Sequence, residues 1–265
     1  MDLSKIKMVV ADMDGTLLNS KHEVSDRFFT LHQKLKDKGI QFVAASGRQY
    51  LSIINKLSPI KEDIIVIAEN GGFIRKKEEE ILATPLPSTI KNNLLDLLDS
   101  MEDIHPILCT KNKAYLLKTS AKLTPKLKEF YTAYEMIDNL KDYKGEVLKI
   151  AIYHAESSEE YIYPHLKHLE KSLKVKVSGK NWLDLSDNNA HKGYALQKIQ
   201  KLYNVAPEET MVFGDYNNDL EMLALATYSF AMANAHPNVK AVANYETASN
   251  DDFGIERILE QLINA

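Results

Sequence analysis

In Met8-Val9-Val10-Ala11-Asp12-Met13-Asp14-Gly15-Thr16 a short apolar run ends by delivering two carboxylates at alternate positions into a glycine turn. The run has the length and composition of a buried strand. Like charges so close together at the mouth of a core raise each other's pKa and cost free energy unless a cation or a proton relieves them. The pair therefore implies a metal or a shared proton task. An ordinary Asp-Gly turn is the alternative for this stretch by itself, and a calcium loop of the EF-hand kind fits worse because Gly15 comes too early and no Glu closes the loop. Three further clusters change the balance: Ser46-Gly47, Lys192, and Gly214-Asp215 with Asn218-Asp219. Asp12, Asp14 and Asp215 offer hard oxygens of the kind that hold Mg2+ together with water and a substrate phosphate. Ser46, the Gly47 backbone N–H and Lys192 offer donors and one positive charge to phosphate oxygens, helped by the N-terminus of the helix that follows. Singly, a lysine at a helix start reads as solvated and Asn218-Asp219 reads as a cap. Jointly they point to phosphoryl chemistry, in which a carboxylate at a strand end attacks phosphorus to give an aspartyl phosphate.

The surrounding pattern explains how such residues would meet. Ser25 caps a helix with Phe28, Phe29, Leu31 and Leu35 at its apolar positions, stopped at Gly39. Residues 40–45 are a second buried strand, running into Ser46-Gly47-Arg48 and a helix through Leu57; residues 64–68 are a third, ending in Glu69-Asn70-Gly71-Gly72. Continuous apolar strands alternating with helices predict a parallel, doubly wound sheet, whose ligands sit outside the carboxyl ends of the strands. Asp12, Ser46 and Asn70 each lie at such an end. From about Leu82 the texture changes to alternating strands, such as 114–118 and 147–152, with lysine-rich amphipathic helices starting near Ser88, at Thr124-Pro125 and at Ser157. Glu160 would complete a capping box with Ser157, and Pro164 would kink or delay that helix. Residues 175–177 and 182–185 read as a hairpin. The doubly wound pattern returns with a helix over 192–203, a strand over 210–215, a helix from Asn217, a strand over 228–232, a short helix after Pro237 and a last helix from Gly254. The expected architecture is thus an α/β protein: a core from 1–83 and 187–265, interrupted by an inserted α/β cap domain over 84–186.

Composition narrows the partners. The chain has 265 residues, 45% hydrophobic and 26% charged, an ordinary globular balance. Thirty-three Lys and Arg against 37 Asp and Glu give a net charge of -4, so no basic field is present for nucleic acid or an anionic membrane. One cysteine, Cys109, precludes an intrachain disulfide and suits a reducing compartment; within Pro106-Ile107-Leu108-Cys109 it reads as a small buried apolar residue. No segment reads as a signal peptide or a membrane span, and the expected location is cytoplasmic.

Taken in order, DxDGT at Asp12, Ser46, Lys192 and GDxxND at Gly214 resemble the haloacid dehalogenase superfamily, and the likeness extends over the whole chain. The long insert, with 231–235 and 250–254 downstream, is similar to the Cof-type branch of capped phosphatases acting on sugar and cofactor phosphates. The resemblance implies that Asp12 is nucleophile and Mg2+ ligand. It makes Asp14 the general acid and base, binding metal through its backbone carbonyl, and Asp215 a further ligand. It assigns phosphate contacts to Met13, Ser46, Gly47, Lys192 and Asn218, and orientation of the metal shell or of Lys192 to Asp219. Tyr216 departs from the Gly usual after Gly-Asp, His191 from a small polar residue, and Ser46 from Thr. A receiver-type phospho-acceptor domain is the reading from another class, but Asp14 and a hundred-residue insert argue against it; a phosphomutase of the same superfamily is the nearer alternative.

Arg48, Asn70 and Lys149 are the candidates for contacts with the rest of the substrate. For Lys149, alternation in 147–152 puts Leu148, Ile150 and Ile152 against the cap's own helices and Lys149 on the other face with Val147 and Ala151. That open face would turn toward the catalytic rim; a solvated surface lysine is the alternative.

Overall fold

The computed structural model describes residues 2–123, 125 and 131–265. Eight strands make one sheet: β1 (Met8–Asp12), β2 (Gln41–Ala45), β3 (Ile65–Ala68), β4 (Phe73–Lys76), β5 (Glu79–Ala83), β12 (Thr210–Gly214), β13 (Tyr228–Ala231) and β14 (Tyr245–Glu246). Their spatial order is β14-β13-β12-β1-β2-β3-β4-β5. Six strands are parallel, and the β3–β4 and β4–β5 pairs are antiparallel. The chain runs outward from β1 in one direction through β2 and β3, then returns to place β12 on the other side, so β1 is where the winding reverses. Register does the positioning: Asp12 pairs with Ala45 and Ala11 with Phe213, which brings Asp12, Ser46 and Asp215 to one rim.

Local signals account for the flanking helices. Ser25 caps the helix Asp26–Asp37 by accepting from Phe28 N at 3.0 Å, a bond of about 1 kcal/mol. Phe28, Leu31 and Leu35 are buried against the sheet, and Phe28 meets Phe42 of β2 edge to face at 5.0 Å. The helix Lys192–Tyr203 begins where expected, with His191 as its cap: the ring Nδ1 accepts from Tyr194 N. The β4–β5 hairpin is an addition to the expected elements. Its turn carries Lys77 in the left-handed region, and its strands, 73–76 and 79–83, set their charged residues in a block beside the turn, so no apolar alternation marks them.

The insert holds a second sheet: β6 (Ile104–Cys109), β7 (Ala114–Leu117), β8 (Tyr134–Ile137), β9 (Lys149–His154), β10 (Lys174–Gly179) and β11 (Trp182–Ser186), in the order β10-β11-β9-β6-β7-β8. One face packs Ile150, Ile152, Leu183 and Leu185 against Leu94, Leu95 and Leu98 of the helix Ser88–Leu98 and against Ile162 and Leu166. The other face carries Ile107, Cys109, Leu116, Ala151 and Tyr131. Alternation therefore holds from Lys149 onward but not before it. Val147 belongs to the helix-covered face and Leu148 joins the core of the other sheet, because β9 starts at Lys149 and the two preceding residues bridge the layers. The helix expected at Ser157 is split: Ser157 caps Ser158–Tyr161, and Tyr163–Leu166 follows with Pro164 in its first turn, where a missing N–H costs nothing. The helix expected at Thr124-Pro125 falls outside the described residues. Cys109 is buried, its thiol 3.3 Å from the Tyr131 hydroxyl. Among the described residues no helix is long and apolar enough to cross a membrane.

Candidate active site

Asp12, at the end of β1, is almost wholly buried. Its Oδ1 is bonded by Lys192 Nζ, which also donates to Asp219 Oδ1 at 2.7 Å. Asp219 is fully used: its Oδ2 accepts from the backbone N–H groups of Asp215 and Tyr216, at 2.9 and 3.1 Å. Asp215 Oδ1 accepts from the Thr16 hydroxyl at 3.0 Å. Carboxylate oxygens of Asp12, Asp215 and Asp219 all lie within 4.8 Å of one another. The glycine of the first motif is required here twice over. Gly15 has φ +80°, and a Cβ on it would stand 2.2 Å from Asp215 Oδ2.

The electrostatics record an excess of negative charge. Burial raises the Asp12 pKa well above the ordinary carboxylate range, against the pull of Lys192 and with added repulsion from Asp219 and Asp215. Burial, then Asp219, pushes Asp215 to about 6. Burial alone would lower Lys192, but the charges of Asp12 and Asp219 outweigh it, so the ammonium holds its proton. Three carboxylates around one lysine, two of them buried and Asp215 partly so, present hard oxygens that fit a divalent cation such as Mg2+. Asp12 and Asp215 have oxygens to spare for it, while Asp219 orients Lys192 and the 215–216 backbone.

Asp14 departs from the expectation that the two motif carboxylates raise each other's pKa. Its side chain turns away from Asp12 and accepts two bonds from Arg48, Nε to Oδ2 and Nη2 to Oδ1, each 2.6 Å, with His22 Nδ1 at 3.3 Å. Partial burial, the largest single influence, raises the Asp14 pKa; the Arg48 bonds and charge, with His22, outweigh it and hold the carboxyl below its usual value. Alternate positions of a strand share a face, but β1 ends at Asp12, so the strand period does not reach Asp14 and nearness in sequence is not nearness of charge.

A cavity of about 480 Å3 opens beside these groups, lined by Asp12, Asp14, Ser46, Gly47, Arg48, Asn70, Asp215 and Asn218 from the rim and by Tyr131, Lys149, Trp182 and Asp184 from the cap. Asn70 Nδ2 donates to Asp184 at 3.3 Å, and Asn70 Oδ1 accepts from Asn218 at 3.1 Å. Lys149 is buried rather than solvated and reaches the Gly47 carbonyl at 3.2 Å. Lys192 and the buried Met13 side chain do not line the cavity; Lys192 stands behind Asp12. Tyr216 is accommodated because its backbone is extended, at φ −126° and ψ 170°, which any residue adopts. Sequence reading missed Glu69, Asp184, Trp182, Tyr131, His22 and Thr16. Alternation in 182–185 places Trp182 and Asp184 on one face and was signal enough for those two, and Thr16 stands in the DxDGT motif; Glu69, Tyr131 and His22 carried none.

A family model described as haloacid dehalogenase-like hydrolase matches residues 9–259. The chain belongs to this family. It is 32% identical over 264 residues to the 5-amino-6-(5-phospho-D-ribitylamino)uracil phosphatase YbjI of Escherichia coli K12, covering 97% of this chain and 96% of that one. It is 26% identical to the phosphatase of the same description, YitU, of Bacillus subtilis, covering 97% and 98%. The crystal structure of SMU.1108c from Streptococcus mutans UA159 superposes with a TM-score of 0.89 at 30% identity, covering 98% of this chain and all of that one. The haloacid dehalogenase fold, with its doubly wound core and inserted cap, and a phosphatase activity on phosphorylated small molecules follow from this membership.

Proposed function

We propose that this protein is a Mg2+-dependent phosphatase that hydrolyses a small phosphorylated metabolite, a sugar phosphate or a phosphorylated cofactor, through an aspartyl phosphate on Asp12. The observation that carries it is the convergence of Asp12, Asp215 and Asp219 oxygens within 4.8 Å around Lys192, at the mouth of a cavity shared with the cap. Mg2+, held by Asp12, Asp215 and the Asp14 backbone carbonyl, would offset the charge of these carboxylates so that a phosphate dianion can approach. Asp12 Oδ forms the new bond to phosphorus as the ester bond breaks. The electron pair goes to the leaving oxygen, which takes a proton from Asp14. Asp14, now a carboxylate, takes a proton from water, whose oxygen attacks phosphorus and frees Asp12 with release of phosphate. Ser46, the Gly47 N–H, the Met13 N–H, Asn218 and Lys192 supply donors to the phosphoryl oxygens, and Arg48 and Asn70 contact the substrate. Arg48 holds Asp14 ionised, the form the second step uses, so the first step needs the pair to open when substrate enters. The core over 1–83 and 187–265 performs the chemistry and the cap over 84–186 selects the leaving group.

The test is phosphate release by purified protein, with Mg2+ and with EDTA, from sugar phosphates, nucleotides, pyridoxal phosphate, flavin mononucleotide and 5-amino-6-(5-phospho-D-ribitylamino)uracil. The last is included because two relatives are named for it. Turnover of one of these with Mg2+ and none in EDTA supports the reading; full activity in EDTA defeats the metal assignment.

A further inference from the structure

Between core and cap lies a second buried lysine with two carboxylates. Lys149 Nζ stands 3.1 Å from Glu69 Oε2 of the core and 3.1 Å from Asp184 Oδ2 of the cap. Lys149 and Asp184 line the cavity, and Glu69 sits behind them, only 2% exposed. Glu69 is held there at a cost. Neither of its oxygens has a hydrogen bond of good geometry among the described residues, so its contact with Lys149 is an ion pair by distance rather than a directed bond. Glu69 and Asn70 are also both in the left-handed region, at φ 51° and 57°, where residues other than glycine rarely sit. Such conformations persist when the surrounding structure over-determines them and cluster at functional sites. Asp184 by itself would neutralise Lys149. Burial raises the pKa of the Glu69 carboxyl and the Lys149 charge opposes the rise; with Glu69 ionised, one positive charge faces two negative ones and the group carries a net charge of -1.

We propose that Glu69 sets the charge selectivity of the leaving-group pocket: by over-compensating Lys149 it makes the cap wall reject substrates bearing a second anionic group and admit monophosphates whose remainder is neutral. Lys149 at the cavity wall reads, taken singly, as a cation for an anionic leaving group, and its two carboxylates reverse that reading. The rest of the cap wall agrees, since Tyr131, Trp182 and Ser178 present rings and a hydroxyl suited to a neutral polar or aromatic group. An element that penalises the wrong ligand is a common route to specificity. The proposal rests on the phosphatase reading above and concerns only which esters that site accepts.

The experiment compares inhibition of p-nitrophenyl phosphate hydrolysis by glucose 6-phosphate and by glucose 1,6-bisphosphate, in wild type and in Glu69→Gln, which keeps the side chain's shape and removes its charge. The ratio of the two inhibition constants, bisphosphate over monophosphate, is expected to fall roughly tenfold in the variant, the size of one charge interaction across a pocket at an effective dielectric of about 20. A merely structural role would weaken both inhibitors alike, and an unchanged ratio overturns the proposal. Should Glu69→Gln fail to fold, Asp184→Asn faces the same ammonium and carries the same expectation, with an unchanged ratio there equally fatal. Absence of p-nitrophenyl phosphate turnover by the wild-type protein would instead overturn the phosphatase reading beneath it.

Discussion

Among the described residues two buried lysines, Lys192 and Lys149, are each bonded to or paired with two carboxylates, and the two clusters differ in what their oxygens face. Around Lys192 a third carboxylate, Asp215, joins Asp12 and Asp219; the ammonium holds one oxygen of Asp12 and one of Asp219, and neutral donors hold two more, backbone N–H groups on Asp219 Oδ2 and the Thr16 hydroxyl on Asp215 Oδ1. The surplus charge is aimed at one point, which is how a protein makes a site for a hard cation. Around Lys149 the charges face one another, and Glu69 has no directed hydrogen bond among the described residues. Composition does not distinguish a cluster that fits a hard cation from a buried ion-pair cluster. What distinguishes them is whether the remaining oxygens are pre-oriented by neutral donors.

That contrast can be broken at several points. Chelation by EDTA should abolish phosphate release, and Mg2+ should restore it; Asp12→Asn should lower kcat by on the order of 10^4-fold or more, since no other group in the site replaces a nucleophile. Asp14→Asn should lower turnover of esters with poor leaving groups by about 10^2- to 10^4-fold. With p-nitrophenyl phosphate, whose leaving group needs little help, the same variant should accumulate phosphoenzyme on Asp12, visible by mass spectrometry. Lys149→Ala leaves Glu69 and Asp184 buried without their cation and should cost about 3–5 kcal/mol of stability in denaturant titrations. Mg2+ should not recover that loss, whereas it should recover part of the loss in Lys192→Ala, where a metal can take over the charge. Equal recovery in both would erase the distinction.

The smallest expected effect is on pH dependence. Asp215 has a folded-state pKa raised from 3.8 to about 6, first by burial and then by Asp219. A raised pKa means that the folded state holds the proton more tightly. The linked stability is complete below the unfolded value of 3.8 and is lost as pH rises through about 6. Metal-free protein should therefore lose this contribution across that window, and the gain in Tm on adding Mg2+ should be larger near pH 7.5 than near pH 5, because ion and proton compete for the same oxygens. Asp215→Asn should flatten the difference. A Mg2+ shift that is independent of pH would place the ion elsewhere.

The rim was legible in the linear chain because each of its groups follows directly on a periodic apolar strand or opens a helix. A strand's end and a helix's first turn are local properties, set by period, by caps such as Ser25 and by glycines such as Gly15, so Asp12, Ser46, Asp215 and Lys192 could be placed without knowing the packing. Ionisation and pairing were not legible. Arg48 reaches Asp14 across 34 positions, and Glu69 meets Lys149 only when the cap sheet closes on the core. Nothing in residues 69, 149 and 184 as read along the chain marks them as partners. Strand alternation did turn Lys149 toward the site, because a side chain's face is fixed by its own backbone. What it meets there is fixed by elements distant in sequence, since Coulomb interactions follow separation in space, and that separation exists only in the folded chain.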